Sequence, residues 1–299
     1  MTLSIIIISW NTRTLLRACL SSIFRHPPPF AFEVIIVDNA SSDGSPNLVR
    51  AEFPEVRLVE NQANLGFATA GNQGAGSAAG RYLLFLNSDT CVHAATLSGA
   101  VSYMNRYPQT GIMGCRTLNP DGSLQGSAMA FPTALRIFAN VSGLSRFFKL
   151  SRLRNQLRLR GYDYVQGSFL IIAKSVFDHC DGFDERFFLY GEDVDLCLRV
   201  REAGLRIGYE TGISITHHGG GSSENTALRL AHFISGCLLL YEKHRRASQV
   251  KKLAKFTKAA LNAHFFVKNT FSPLKPTVKK REIENLIASL PAAGNDGCR

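Results

Sequence analysis

Several acidic and amide side chains directly follow short apolar runs in the first ninety residues. Asp38 ends one such run, and Asp89 lies just beyond another, after Asn87 and Ser88. A carboxylate at such a position can accept a hydrogen bond from a base or a ribose. It can also bind a hard divalent cation together with phosphates and water. Acidic residues are equally common in turns and helix caps, so the residue types alone leave both interpretations open.

A second acidic cluster falls at the start of a predicted helix, 191–203. Glu192, Asp193 and Asp195 crowd its first turn, where the helix macrodipole favours negative charge. That stabilisation explains acidic residues at this position without any catalytic role. A carboxylate held there also stays ionised and can accept a proton from an attacking hydroxyl group.

Two further segments carry candidate binding groups. Asn64, Gly66 and Phe67 open a predicted helix that also contains Asn72, and backbone N–H groups at a Gly-rich helix start can bind an anion. His217 lies in the sequence His217-His218 before a Gly-rich turn. Histidine is a common metal ligand, although such a pair is ambiguous by itself.

The elements that must position these residues alternate between strand and helix. Apolar runs at 3–9, 32–37, 56–60 and 82–86 predict strands, and helical spacing predicts helices over 12–24, 43–53 and 67–79. This alternation predicts an open, mostly parallel α/β sheet. Because ligands bind beyond the carboxyl ends of the strands in such sheets, we expect the strand-end residues to line one cleft.

Composition excludes several classes of protein. Apolar residues make up 45% and charged residues 19% of the chain, so the chain is neither disordered nor fibrous. No apolar run approaches the roughly 20 residues that span a bilayer, and no basic residue precedes the apolar run 5–8. The seven cysteines are scattered and never spaced CxxC, which favours reduced thiols. We therefore expect a cytoplasmic protein.

The net charge of +11 is unevenly distributed. The segments 122–162 and 243–281 contain no acidic residue and hold more than half of the 34 lysines and arginines. The remainder is acidic, which predicts anionic partners at the two basic segments. A nucleic-acid-binding protein would also be basic, but the acidic strand ends and the lack of a recognised binding motif argue against nucleic acid as a partner.

The order of the motifs is more specific than any one of them. Over residues 1–225 the chain resembles the family 2 glycosyltransferases, particularly their bacterial rhamnosyltransferase-like branch. The residues that carry the resemblance are Ser9-Trp10-Asn11, Val37 to Ser45, Asn64-Leu65-Gly66-Phe67, Leu86-Asn87-Ser88-Asp89, Gly191 to Leu196, and His217 with Gly219, Gly220 and Ser222. The resemblance implies a GT-A fold, with a mixed, mostly parallel central sheet, and inverting transfer of a sugar from a nucleotide diphosphate.

The same resemblance implies roles for individual residues. Asp38 would contact the base, Asp89 would bind Mg²⁺ or Mn²⁺, Asp193 would be the catalytic base, and His217 would assist the metal or the diphosphate. Glu192 and Asp195 would support Asp193 or the acceptor. The remaining nucleotide-binding candidates are Ser9, Trp10, Asn11, Asn64, Gly66, Phe67, Asn72, Asn87 and Ser88. The family's metal motif is often Asp-x-Asp, so Asn87 in place of the first acid lowers the expected metal affinity.

We expect residues 1–118 to bind the nucleotide sugar, 119–225 to bind the acceptor and carry the catalytic base, and 226–299 to form a basic helical tail. On a helical wheel Leu253 and Phe256 share a side with Ala260, Val267 and Phe271, largely opposite the lysines at 251–258. Such a helix either lies on an anionic membrane surface or packs on the catalytic domain. Membrane docking would suit a lipid-linked glycan acceptor in envelope polysaccharide synthesis.

The sequence does not identify the nucleotide sugar that serves as donor. Resemblance favours dTDP-L-rhamnose, with UDP- or GDP-hexoses as alternatives. A non-catalytic sugar-nucleotide-binding protein is a further alternative if Asn87 abolishes metal binding. A nucleotidyltransferase would want a Gly-rich basic loop near the first strand, and the sequence from Ser9 to Thr12 is not one.

Overall fold

The computed structural model describes residues 1–141, 162–219, 226–245, 249–250, 252–257 and 259. The chain divides into two compact units. The first comprises residues 1–130, 160–188 and 192–222, and the second comprises 131–159, 189–191 and 223–299. The basic residues 146–160 and the tail residues Ala260, Val267 and Phe271 lie outside the described residues.

The first unit is built on one mixed sheet, which contains nine strands among the described residues. Its strand order is β3-β2-β1-β4-β10-β6-β11-β5, and β7 pairs with β6. The strands are β1 (Leu3–Ser9), β2 (Phe32–Asp38), β3 (Arg57–Glu60), β4 (Tyr82–Asn87), β5 (Thr90–Val92), β6 (Thr110–Leu118), β7 (Leu124–Gln125), β10 (Phe169–Ala173) and β11 (Arg206–His217). A separate pair joins β8 (Ala128–Met129) to β9 (Tyr164–Val165).

Strands β1 to β4 are parallel, as the alternation of strand and helix predicts. Strand β10 runs antiparallel to β4 and β6, and β5 runs antiparallel to β11. The sheet is therefore mixed and mostly parallel. Its central strands are continuously apolar because helices cover both faces, and the side chains from Ile5 to Ile7 are fully buried.

Six helices among the described residues belong to the first unit: α1 (Arg13–Arg25), α2 (Ser45–Glu52), α3 (Gly66–Gly76), α4 (Thr96–Arg106), α6 (Lys174–His179) and α7 (Glu192–Glu202). Helix α1 buries Leu16, Leu20 and Ile23, the stripe expected from its sequence. The predicted helix over 67–79 ends earlier, at Gly76, and the predicted helix over 43–53 begins at Ser45.

The second unit contains α5 (Ala134–Val141) and α8 (Thr226–His244). The hydroxyl group of Tyr241 on α8 donates to the carbonyl of Pro132 at 3.0 Å, and the ring of Phe131 packs against that of Tyr241. Arg245 lies over the Phe131 ring at 4.1 Å. Among the described residues, no helix is long and apolar enough to cross a membrane.

Candidate active site

The first part of the site lies at the carboxyl end of β2. Asp38 is 2% exposed, and its Oδ2 accepts the backbone N–H of Ser41 at 2.7 Å. Its Oδ1 is buried without a hydrogen-bond partner among the described residues. Burial raises the pKa of this carboxyl group above its ordinary value, against the lowering effect of the Ser41 hydrogen bond. A buried acceptor left open in this way is an expected contact point for a ligand donor.

The loops after β1 and β2 are tied together beside this carboxylate. Asn11 has a φ of 52°, a left-handed conformation that asparagine tolerates. Its backbone N–H donates to Ser41 Oγ at 2.8 Å, and its Oδ1 accepts the N–H of Ser42 at 2.8 Å. Neighbouring Trp10 is half-buried. The loop geometry thus depends on the Asn11 side chain.

Ser9 and Ser88 belong to a buried chain of hydroxyl groups. Ser9 Oγ lies 3.2 Å from Thr12 Oγ1, and Thr12 donates to Ser88 Oγ at 3.0 Å. This chain joins the end of β1, the start of α1 and the turn after β4. Both serines therefore help to fix the loops that carry other candidate residues.

The start of α3 is shaped by a close approach of two backbones. Gly66 has a φ of +84°, and a Cβ atom there would lie 2.4 Å from the carbonyl oxygen of Phe188. That oxygen accepts the N–H of Phe67 at 2.7 Å, while Asn64 Oδ1 accepts the N–H of Gly66 at 3.0 Å. Further along the helix, Asn72 holds the 183–185 loop through hydrogen bonds to Phe183 and Glu185.

The second part of the site joins β4 to the end of β11. Antiparallel pairing of β5 with β11 sets His217 opposite Thr90, next to Asp89. His217 Nε2 lies 3.2 Å from Asp89 Oδ1 and 3.4 Å from Asn87 Nδ2. On its other side, His217 Nδ1 lies 2.6 Å from Gln125 Oε1. No sequence pattern indicates Gln125, because it belongs to a two-residue strand, β7.

This donor set fits a divalent cation. With Nδ1 protonated toward Gln125, the lone pair of Nε2 faces a carboxylate oxygen, and two facing acceptors favour a cation between them. Among the described residues, no group of three or more His, Cys, Asp or Glu side chains could hold a metal ion. Asp89 and His217 would therefore be the protein's ligands, and phosphate oxygens and water would complete the coordination.

The third part is Asp193, in the first turn of α7. Its Oδ2 accepts the backbone N–H of Gly167 at 2.9 Å, and its Oδ1 accepts the N–H of Val194 at 2.8 Å. Burial raises the pKa of Asp193, although both hydrogen bonds act in the opposite direction. A carboxylate with a raised pKa is a stronger base when ionised, which suits proton transfer.

Glu192 and Asp195, the two acidic residues beside Asp193 in α7, are both buried. Glu192 is buried at the helix start. Asp195 is fully buried and forms an ion pair with Arg199, whose guanidinium group also donates to the carbonyls of Cys180 and Gly182. The Asp195–Arg199 pair therefore anchors α7 to the turn at residues 180–182, which follows α6.

Comparisons with known proteins agree with this architecture. Residues 4–180 match the model of glycosyl transferase family 2. The chain is 31% identical over 232 residues to the N-acetylglucosaminyl-diphospho-decaprenol L-rhamnosyltransferase of Mycobacterium tuberculosis, covering 71% of this chain and 75% of that protein. It is 41% identical over 56 residues to the rhamnosyltransferase WbbL of Escherichia coli K12, covering 19% of this chain and 21% of that protein.

Among solved structures, the mannosyltransferase PcManGT from Pyrobaculum calidifontis, in complex with GDP-Man and Mn²⁺, superimposes with a TM-score of 0.59 at 16% identity. The match covers 96% of this chain and 79% of that one. Staphylococcus aureus TarS 1–349 with UDP-GlcNAc gives 0.57 at 16% identity, covering 97% and 82%. Both likenesses show the fold, which is GT-A. The chain belongs to glycosyltransferase family 2. Within that family it is similar to rhamnosyltransferases.

Proposed function

We propose that this protein transfers L-rhamnose from dTDP-L-rhamnose, with inversion, to a hydroxyl group of a lipid-linked glycan. The observation that carries the proposal is that the turn 166–168 forms hydrogen bonds both to the end of β4 and to Asp193. The carbonyl of Ser168 accepts the N–H of Asn87 at 3.3 Å, and the N–H of Gly167 bonds to Asp193. These contacts support one site that contains both the proposed base and the strand end with the proposed metal ligand.

In the proposed reaction the acceptor hydroxyl attacks the anomeric carbon from the side opposite the diphosphate. A bond forms from the acceptor oxygen to that carbon, the bond to the diphosphate oxygen breaks, and Asp193 takes the hydroxyl proton. Asp38 binds the base or ribose of the donor. A divalent cation held by Asp89 and His217 would neutralise charge on the departing diphosphate. A single carboxylate base suffices because inversion needs no covalent sugar–enzyme intermediate.

The relatives support the choice of sugar and acceptor. The mycobacterial protein is named for an L-rhamnosyl transfer to a diphospho-decaprenol-linked N-acetylglucosamine, and WbbL is also named a rhamnosyltransferase. UDP- and GDP-hexoses are the competing donors, in view of the nucleotide sugars bound to TarS and PcManGT.

The test measures nucleoside diphosphate release from dTDP-rhamnose, UDP-hexoses and GDP-hexoses, with a short lipid-linked acceptor, in Mg²⁺, in Mn²⁺ and in a chelator. We expect release from dTDP-rhamnose that the chelator abolishes and that Asp89→Asn strongly reduces. Asp178→Asn, in an exposed pair with Lys174, is the matched control. Release from a hexose donor alone would contradict the sugar, and equal release in the chelator would contradict the metal.

We further propose a boundary near residue 225, with 226–299 as a basic region that docks on an anionic membrane surface. In the helical stretch 252–257, Leu253 is fully buried, whereas Phe256 is 49% exposed beside exposed Lys252 and Lys255. In this stretch, therefore, Phe256 is exposed while Leu253 is buried. An exposed aromatic ring flanked by lysines suits an interfacial position.

Sedimentation with phosphatidylglycerol vesicles at low salt tests this docking, with phosphatidylcholine vesicles for comparison. We expect retention on the anionic vesicles only, and weaker retention for Phe256→Ser with Lys252→Glu. Equal recovery in the supernatant with both lipids would overturn the membrane proposal without affecting the transfer reaction.

A further inference from the structure

The imidazole ring of His217 is held from the side that faces away from Asp89. Its Nδ1 lies 2.6 Å from Gln125 Oε1, and its Nε2 lies 3.2 Å from Asp89 Oδ1. Gln125 is half-buried in β7, which pairs antiparallel with β6. A neutral imidazole donates from one nitrogen and accepts at the other, so the contact at Nδ1 decides what Nε2 presents to Asp89.

The direction of the Gln125 contact follows from a chain of hydrogen bonds in the β6–β7 hairpin. Ser123 Oγ donates to Asp121 Oδ1 at 2.6 Å and accepts from Asn119 Nδ2 at 2.8 Å. Asn119 Oδ1 then accepts from Gln125 Nε2 at 2.9 Å, and the same Nε2 lies 3.4 Å from the carbonyl of His217. Because an ionised carboxylate only accepts, it sets the orientation of every group along the chain.

Asp121, the carboxylate at the end of this hydrogen-bond chain, is ionised. Its hydrogen bonds from the side chain and backbone of Ser123 lower the pKa of the carboxyl group. The Gln125 amide therefore turns its oxygen to His217, and the ring proton resides on Nδ1. Without that oxygen, the proton could move to Nε2, which would then donate a hydrogen bond to the Asp89 carboxylate and have no lone pair left for a cation.

We propose that Gln125 is a positioning residue that fixes the Nδ1–H tautomer of His217 and so keeps Nε2 available to a cation beside Asp89. The inference rests on the proposed role of His217 at the donor's metal. It extends the site to the β6–β7 hairpin, residues 118–125. Metal-binding histidines commonly donate their second N–H to such a partner, and losing it typically costs about 10- to 100-fold in metal affinity.

The first measurement reads the tautomer directly in the metal-free protein. Long-range ¹H–¹⁵N NMR of histidine-labelled protein at alkaline pH reports which nitrogen of His217 carries the proton, with the signal assigned by a His217→Gln variant. We expect the Nδ1–H form in the wild type and in Gln125→Glu, whose carboxylate also accepts from Nδ1. Gln125→Leu should move the proton to Nε2. Gln109→Leu, an exposed glutamine outside the hairpin, should change nothing.

The second measurement is Mn²⁺ affinity by electron paramagnetic resonance, in the presence of dTDP and, separately, UDP. We expect Gln125→Leu to weaken Mn²⁺ binding about 10- to 100-fold and Gln125→Glu to retain it. A leucine variant that keeps the Nδ1–H form would overturn the role of Gln125. A changed tautomer with unchanged Mn²⁺ affinity would instead contradict the proposed role of His217 at the metal, and with it the link from Gln125 to the cation.

Discussion

The backbone N–H of Gly167 donates a 2.9 Å hydrogen bond to Oδ2 of Asp193. A Cβ atom on Gly167 would lie in ordinary contact with Asp193 and with the ring of Phe67. The turn before β10 therefore holds the carboxylate from one side while α7 holds it from the other through Val194. These two hydrogen bonds orient Asp193 from both sides, while burial raises the pKa of its carboxyl group.

Replacing the proposed base should separate binding from catalysis. Asp193→Asn keeps the size of the side chain but removes the proton acceptor, so we expect the transfer rate to fall by about 10²- to 10⁴-fold. Donor binding, measured by calorimetry, should stay within a few-fold of the wild type. Asp178→Asn, in an exposed pair with Lys174, is the matched control. Near-normal turnover in Asp193→Asn would refute the role of Asp193.

The raised pKa of Asp193 predicts a pH dependence of both rate and stability. Only the ionised form accepts a proton, so the transfer rate should fall as pH drops through a pKa above the ordinary 3.8. Folding favours the protonated form, so the folded state loses stability as pH rises from the unfolded pKa through the folded one. Relative to Asp193→Asn, the wild type should therefore gain stability on acidification between these two values.

Urea denaturation of both proteins at a series of pH values checks the stability part. A difference in unfolding free energy that stays constant with pH would show that the Asp193 carboxyl group has the same pKa in the folded and unfolded chains.

Replacing Asp38, whose buried Oδ1 accepts no hydrogen bond among the described residues, should weaken binding of the nucleotide sugar. In Asp38→Asn one carboxylate oxygen becomes an amide donor, so either the Ser41 N–H or the incoming ligand loses its acceptor. A hydrogen bond to a charged group contributes about 1.5–3 kcal/mol, which predicts roughly 10- to 100-fold weaker nucleotide binding by calorimetry. Glu52→Gln, in an exposed pair with Arg17, should bind normally. Unchanged affinity in Asp38→Asn would remove this residue from the nucleotide site.

Two glycines at opposite ends of α3 offer a matched test of backbone geometry. Gly66→Ala would force a Cβ atom toward the Phe188 carbonyl at a φ of +84°, and we expect a loss of about 1–3 kcal/mol in unfolding free energy. At Gly76 the φ is not positive, and a Cβ atom would meet no other atom within 4 Å. Gly76→Ala should therefore be neutral or stabilising by up to about 1 kcal/mol. Equal changes in unfolding free energy for the two variants, measured by thermal unfolding, would contradict the close approach of Gly66 to the Phe188 carbonyl.

Two arginines on α7 should differ sharply in their effect on stability. Arg199→Met leaves the fully buried Asp195 without its cation and should cost about 3–5 kcal/mol. Arg201→Met breaks only a solvent-exposed pair with Asp163 and should cost less than about 1 kcal/mol. Chemical denaturation measures both. A small loss for Arg199→Met would contradict a stabilising role for the buried ion pair.

Local sequence patterns were sufficient to predict much of the fold of this protein. Continuous apolar runs predicted β1, β2 and β4, because strands buried on both faces need apolar residues at every position. Helical spacing predicted α1, and the order of the strand-end motifs indicated the family. These features depend on residues close together in the chain. The bulge in β11 between Glu210 and Ser214, by contrast, has no such local pattern.

Only the tertiary structure decided how the site is assembled. Gln125 contacts His217 across 92 positions of the chain, and Gly167 contacts Asp193 across 26. Neither Gln125 nor Gly167 has a residue type or spacing that indicates its partner. Strands as short as β5 and β7 carry too few residues for a recognisable period, and they form because neighbouring strands supply their hydrogen bonds. The sequence by itself determined the longer strands and helices and the candidate site residues, while long-range pairing decided which of them meet.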